Sequence, residues 1–234
     1  MVNTMSPNRQ VDPDVTRVAA LIGDPSRAAI LMALSDGRAL PAGELARRAS
    51  ISPQTASAHL DKLFRAHLIA VEVQGRHHYY RLRNAQVAQV LESLSIVAPP
   101  MLATTPSDSA RALRFARICY DHLAGKVGVA VTHALCDHHY IHDGEAGYSV
   151  TDNGQAWFHA LGVDLSELRA NRRPLTRRCL DWSERRFHLA GALGAAMAKR
   201  FFELNWLSRV RKSRIVRLTD RGGAELRARL SLNF

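Results

Sequence analysis

Cysteine is scarce in this chain. There are three in 234 residues, at positions 119, 136 and 179. Such wide spacing is no disulfide framework, and it points to a reducing cytoplasm where thiols stay free to pack or to react. Long apolar runs are missing as well. None approaches the roughly 18 residues of a membrane span. The first residues, Met1-Val2-Asn3-Thr4-Met5-Ser6-Pro7, lack the basic-then-apolar pattern of a secretory signal. Enzyme signatures are absent too: there is no Gly-rich phosphate loop, no nucleophile elbow and no paired carboxylates in a pocket-like motif. Acidic residues are the minority, 21 against 32 Lys and Arg, for a net charge of +11. That balance favours an anionic partner. Hydrophobic residues still make up 47% of the chain, enough for a packed core.

The most informative stretch runs from Ser50 to Leu82. Ser52-Pro53 reads as a helix cap. Leu60, Leu63, Phe64 and Leu68 then form a buried stripe, with Gln54, Thr55, Ser57, His59 and Lys62 on the polar side. Small hydrogen-bonding side chains near a helix N-terminus suit the edges of bases in the major groove. Val71 to Leu82 follows as a hairpin with Gly75, Arg76 and His77 at its tip, placed for the minor groove or the backbone. Upstream, Asp24-Pro25 opens a helix carrying Ile30, Leu31 and Leu34, and Pro41 opens a short one carrying Leu45 and Ala46. Asn84 opens another, with Val87, Val90, Leu91 and Leu94 at helical spacing. That last helix has no obvious place in so small a core, so a subunit interface is expected. The arrangement is a winged helix-turn-helix.

The second half repeats itself. Cys119-Tyr120-Asp121, His122-Leu123-Ala124-Gly125, Tyr140-Ile141 and Thr151-Asp152-Asn153-Gly154 recur, in order, as Cys179-Leu180-Asp181, His188-Leu189-Ala190-Gly191, Trp206-Leu207 and Thr219-Asp220-Arg221-Gly222. Six residues are inserted in the second copy after Asp181. Each copy reads as helix, helix, then a strand pair, which is a degenerate winged helix. Cys119 and His122 are then three apart on one helix face. The charge is concentrated here: residues 1–100 hold 11 basic and 8 acidic side chains, and residues 101–234 hold 21 and 13.

Residues 12–96 resemble the ArsR/SmtB family of dimeric winged-helix repressors. The matching features are Asp24-Pro25-Ser26-Arg27 with Ile30-Leu31, Leu45-Ala46, Ser52 through Leu60, and Gly75-Arg76 followed by Tyr79-Tyr80-Arg81-Leu82. The repeated Cys-x-Asp and His-Leu-Ala-Gly blocks resemble a longer subgroup with an added C-terminal domain. The resemblance implies an operator-binding homodimer released by an effector. Two usual metal sites of the family have no counterpart here. Residues 41–48 hold no cysteine, and residues 85–92 hold neither His nor Asp.

The expected fold is therefore α+β and mainly helical. Residues 1–98 form the winged helix-turn-helix and dimerisation domain, 99–106 a linker, and 107–234 a C-terminal sensor domain duplicated over about 117–163 and 177–232. Expected DNA contacts are Ser52, Gln54, Thr55, Ser57, His59, Lys62, Arg76 and His77 on a double-stranded operator. Arg209, Arg211, Lys212 and Arg214 offer a second, basic wing. The effector or redox centre is expected at Cys119, Asp121, His122, Cys179, Asp181, Trp182, Arg185 and His188, with Trp182 and Arg185 walling a small-molecule site. A soft metal, a reactive thiol and an organic ligand all fit that set, as does a pair of small buried cysteines without function. Cys136, His138, His139 and His142 form a second run with metal-ligand residue types. A Cys-His hydrolase is the distant alternative to a non-enzymatic, non-membrane repressor.

Overall fold

The computed structural model describes residues 12–75, 77–99, 107–170 and 172–234. The N-terminal part runs α1 (Val15–Ile22), α2 (Pro25–Ala33), β1 (Leu40–Pro41), α3 (Ala42–Arg48), α4 (Pro53–Arg65), β2 (Ile69–Gln74), β3 (His77–Leu82) and α5 (Ala85–Val97). Helix starts are set by local chemistry. Asp24 accepts the Arg27 N–H with Pro25 in the first turn, Ser52 accepts the Thr55 N–H, and Asn84 accepts the Val87 N–H. The strands form an antiparallel sheet in the order β1-β3-β2. Ile30, Leu34, Leu45, Leu60, Leu63 and Ile69 form its core.

α5 differs from the expectation. Ala88 and Leu91 are buried in this same core, with Val87 packed against it. The helix therefore has a seat in its own subunit, because the period of 3.6 turns only part of its apolar set outward. The outward part is Val90, Leu94 and Val97, which are all exposed, as is Val15 on the unanticipated α1.

The C-terminal part runs α6 (Asp108–Phe115), β4 (Arg117–Cys119), β5 (His122–Ala124), α7 (Gly125–Asp137), β6 (Ile141–Gly144), β7 (Gly147–Val150), α8 (Asp152–Leu161), α9 (Leu165–Arg169), β8 (Arg177–Leu180), β9 (Phe187–Ala190), α10 (Gly191–Glu203), β10 (Leu207–Arg209), β11 (Val216–Leu218) and α11 (Asp220–Leu230). The order hairpin, helix, hairpin, helix thus occurs twice, and both occurrences share one core around Leu135, Phe158, Leu193 and Phe201.

The first element of each copy is a hairpin, not the expected helix. Cys119 pairs with His122 across β4 and β5, and Cys179 pairs with His188 across β8 and β9. His122, Leu123 and Ala124 are all buried, so β5 is covered on both faces. Tyr120 takes φ 60° to make the two-residue turn. Gly125 at φ 78° and Gly191 at φ 88° then start the helices. A Cβ on Gly125 would lie 2.5 Å from the Arg114 carbonyl oxygen, so no other residue fits. The copies interlock: Leu189 N–H donates to Thr132 Oγ1 on α7 at 2.9 Å.

The loop between β10 and β11 clasps the N-terminal part. Arg214 donates from Nε to the Ser35 carbonyl at 2.8 Å and from Nη1 to Glu92 Oε1 at 2.9 Å. Ser213 Oγ donates to the Asp36 carbonyl at 2.7 Å. Of the expected linker, Pro99 alone lies within the described residues.

Candidate DNA interface and effector centre

α4 presents Gln54, Thr55, Ser57 and Lys62 to solvent over buried Ala56, Leu60 and Leu63. Ser52 and Thr55 are joined, Oγ to Oγ1, at 2.9 Å, and Ser57 donates back to the Pro53 carbonyl at 3.0 Å. Ser52 is thus the cap, and the Gln54 side chain makes no intramolecular hydrogen bond among the described residues. His59 is half-buried. Its ring turns back to Arg27 Nη1 at 3.4 Å and Asp24 Oδ1 at 4.0 Å, because it sits one turn further toward α2. His77 is exposed at the wing, with its ring 6.4 Å from that of Tyr79. Arg76 lies outside the described residues.

Two cations of the basic C-terminal hairpin have partners in the N-terminal part. Arg214 is locked to Ser35 and Glu92, and Lys212 pairs with Glu72 at 3.5 Å. Both tie the hairpin to the N-terminal part. Arg209 lies over the Phe202 ring at 4.3 Å, and Arg211 is exposed.

The two Cys–His strand pairs meet face to face. One ligand atom from each of Cys119, His122, Cys179 and His188 lies within 4.8 Å of all the others. The two Nε2 atoms approach to 3.1 Å. His122 Nδ1 faces Asp121 Oδ1 at 3.3 Å, and His188 Nδ1 faces Asp181 Oδ2 at 3.7 Å. The carboxylates are themselves held. Arg173 Nη2 donates to Asp121 at 3.0 Å. Asp181, fully buried, accepts from Gly125 N at 2.7 Å, Arg117 Nη2 at 3.0 Å and Ser183 Oγ at 2.7 Å. Cys119 Sγ donates to Glu92 Oε2 on α5 at 3.3 Å. A cleft of about 860 Å³ opens between α5 and this centre, lined by Gln86, Gln89, Glu92, Cys119, His122 and Cys179 among others.

The hydrogen bond to Cys179, and then burial, push the Cys119 thiol up to about 12. The neighbouring Cys119 side chain lowers the Cys179 thiol against the effect of burial. Burial would raise Asp181, but Arg117, Ser183 and the Gly125 N–H outweigh it and hold the carboxyl at about 2. A thiol held protonated is a poor nucleophile, which argues against a hydrolase built on Cys119.

Two expected wall residues have other partners. Trp182 lies against the guanidinium groups of Arg114 and Arg117 at 5.2 and 5.0 Å. Arg185 donates to the Ala98 and Ile96 carbonyls at the end of α5. The inserted loop therefore docks on α5 and steadies Arg117. Cys136, His138, His139 and His142 do not converge: the cluster at Cys119 is the one such group among the described residues. The cause is the turn into β6, where His138 stacks on Tyr140 at 5.6 Å. Glu92, Arg117 and Arg173 escaped the sequence reading, since nothing local marks a charged residue that acts across the fold.

Comparison with known proteins fits this picture. Residues 22–72 match a helix-turn-helix domain family model. The HTH-type transcriptional regulator YdfF of Bacillus subtilis (strain 168) is 45% identical over 214 residues, covering 91% of this chain and 95% of that protein. Among solved structures, the homodimeric winged helix-turn-helix DNA-binding domain Mb0332 from Mycobacterium bovis is 28% identical over 36% of this chain and 76% of its own, at TM-score 0.34. The cadmium metal-sensor CMTR from Mycobacterium tuberculosis is 30% identical over 40% of this chain and 96% of its own, at TM-score 0.32. Among the described residues no helix is long and apolar enough to cross a membrane. Matched to YdfF over nearly the full length of both, the chain belongs to the HTH-type transcriptional regulators, with residues 22–72 as its helix-turn-helix domain.

Proposed function

We propose that this regulator is a cytoplasmic homodimeric repressor that releases its operator when a thiol-seeking signal reaches the Cys119–Cys179 centre. α4 reads the major groove through Gln54, Thr55 and Ser57, and the exposed stripe of Val90, Leu94 and Val97 on α5 joins two subunits. Residues 107–234 form the sensing part, read as two copies of one degenerate winged unit in which a hairpin replaces the first helix. The observation that carries this reading is Glu92. It belongs to a helix of the N-terminal core, yet it bonds Cys119 and Arg214 at once. An event at the thiols therefore has a direct route to the DNA-binding part.

Operator and random duplexes in gel-shift titrations test the reading. Gln54→Ala is expected to cost about 1–3 kcal/mol on operator DNA and little on random DNA, because a base contact is lost. Cys119→Ser and Cys179→Ser are expected to bind operator as wild type does, yet to resist release by metals, oxidants or electrophiles. Equal operator affinity for Gln54→Ala and wild type refutes the DNA assignment. Normal release of both serine variants refutes the sensing assignment.

A further inference from the structure

We propose that Cys119, His122, Cys179 and His188 form a tetrahedral site for one zinc-class divalent cation per chain. The inference names the signal class at the centre described above and rests on that reading only for its regulatory meaning. Four observations carry it.

The donor set comes first. Two sulfurs and two imidazole nitrogens within 4.8 Å of one another are the ligands a tetrahedral zinc takes. With zinc–nitrogen bonds of about 2.0 Å and zinc–sulfur bonds of about 2.3 Å, tetrahedral edges are about 3.3 Å between nitrogens and about 3.8 Å between sulfurs. The Nε2 atoms already stand 3.1 Å apart. Second, each imidazole turns its far nitrogen to a carboxylate, Asp121 for His122 and Asp181 for His188. For His122, at 3.3 Å from Asp121, that pairing favours the tautomer in which Nε2 is the ligand. Third, His188 Nδ1 is buried without a hydrogen bond among the described residues, with Asp181 Oδ2 just beyond reach at 3.7 Å. A cation on Nε2 strengthens that N–H as a donor and gives the pair a reason to exist. Fourth, the ligands arrive symmetrically, one Cys–His strand pair from each copy. A disulfide between the cysteines would use two of the four groups and leave both His–Asp pairs without a task.

Binding is balanced in charge. The cation displaces two thiol protons to solvent, the imidazoles enter neutral, and the centre stays as neutral as before. All four positions are filled by protein, as in sites that organise structure instead of activating water.

The test uses the full-length protein, stripped by a chelator under reducing conditions and titrated anaerobically with Co²⁺. One equivalent per chain is expected to saturate thiolate-to-cobalt charge transfer and the visible bands of tetrahedral cobalt, and one equivalent of Zn²⁺ is expected to abolish them. Cys119→Ser and Cys179→Ser should each lose the charge-transfer band of their own thiolate. Asp121→Asn, at a partly exposed residue, should weaken Zn²⁺ binding about 10- to 100-fold while the fold is kept, judged by circular dichroism. Cys136→Ser should behave as wild type. Stripped protein that is folded and binds operator but takes up no cobalt overturns the site. So does a Cys119→Ser, Cys179→Ser double variant that keeps the tetrahedral spectrum, or a Cys119–Cys179 disulfide that forms in preference to metal uptake. If Zn²⁺ binds stoichiometrically but leaves operator affinity unchanged, the metal site stands and the proposed sensing role falls.

Discussion

Replacing Asp181 with Asn removes the nearer of two carboxylates that face a sealed guanidinium. Arg117 is 1% exposed, with Nη2 3.0 Å from Asp181 Oδ2. Stripping one partner from a buried ion pair costs about 3–5 kcal/mol. Glu92 Oε1 remains 3.5 Å from Arg117 Nε, so the lower end, about 3 kcal/mol, applies. A second route gives a similar size. The carboxyl is held at about 2 against an ordinary value of 3.8. At about 1.4 kcal/mol per pH unit this is about 2 kcal/mol. The sign follows from the depression. The stabilisation is complete above the unfolded value, near pH 4, and disappears as the pH falls through about 2, with about half gone at pH 3. Urea denaturation followed by tryptophan fluorescence reads this directly, since Trp182 lies 5.0 Å from the Arg117 guanidinium. Wild type should exceed Asp181→Asn by about 2–3 kcal/mol at pH 7 and pH 5, and by about half that at pH 3. A gap below about 0.5 kcal/mol at pH 7, or one that widens in acid, refutes the reasoning.

Three further outcomes are expected. The Val90→Asp, Leu94→Asp double variant should sediment as a monomer and bind operator poorly, and an unchanged dimer would remove α5 from the interface. Gly154→Ala and Gly222→Ala place a Cβ 1.9 Å from the Tyr140 carbonyl oxygen and 2.1 Å from that of Trp206. Each should lose about 1–3 kcal/mol in thermal or urea unfolding, and a neutral result would contradict the close approach. Arg214→Ala should loosen the β10–β11 loop, seen as faster proteolysis there, while the salt slope of operator binding stays as in wild type. A flatter slope would restore Arg214 as a phosphate contact.

The N-terminal elements were legible because their signals are local. Asp24, Ser52 and Asn84 each cap the helix that follows, and the Leu60–Leu63 stripe sits where a helical period puts it. The repeat in the second half was legible as matched blocks, and with it the meeting of Cys119 and His122 with Cys179 and His188. Its local form was not. Cys-Tyr-Asp-His has helical spacing, but it also fits a tight hairpin, and short apolar runs leave strand and helix open; the structure pairs Cys119 with His122 across a turn with Tyr120 at φ 60°. The fate of the basic residues was likewise hidden. Arg214 and Lys212 look alike in sequence to DNA-binding arginines and lysines, and only tertiary placement beside Glu92 and Glu72 makes them docking groups. The approach of His59 to Asp24 was hidden for the same reason, since Asp24 is 35 positions away in the chain but adjacent in space.

α5 is where these parts become one argument. Ala88 and Leu91 anchor it in the DNA-binding core, Val90, Leu94 and Val97 face outward, and Gln86, Gln89 and Glu92 border the cleft at the Cys–His centre. A rigid helix cannot shift one of these faces and leave the others in place. Glu92 is tied to Cys119, and Arg214 ties the same carboxylate to the turn after α2. In a dimer joined through the outward face, a change at Cys119 that displaces Glu92 therefore alters how the two copies of α4 are set relative to each other. Two half-sites lie one helical turn apart, about 34 Å, so a small rotation at the interface is a large misfit at the DNA. To drive release from mostly bound to mostly free, the occupied and empty centres need to differ by about 5 kcal/mol in their preference for the two arrangements. A four-ligand cation can supply that difference only if its geometry fits one arrangement better than the other. One mismatch within the centre, His188 Nδ1 at 3.7 Å from Asp181, is a place where such a difference can be stored.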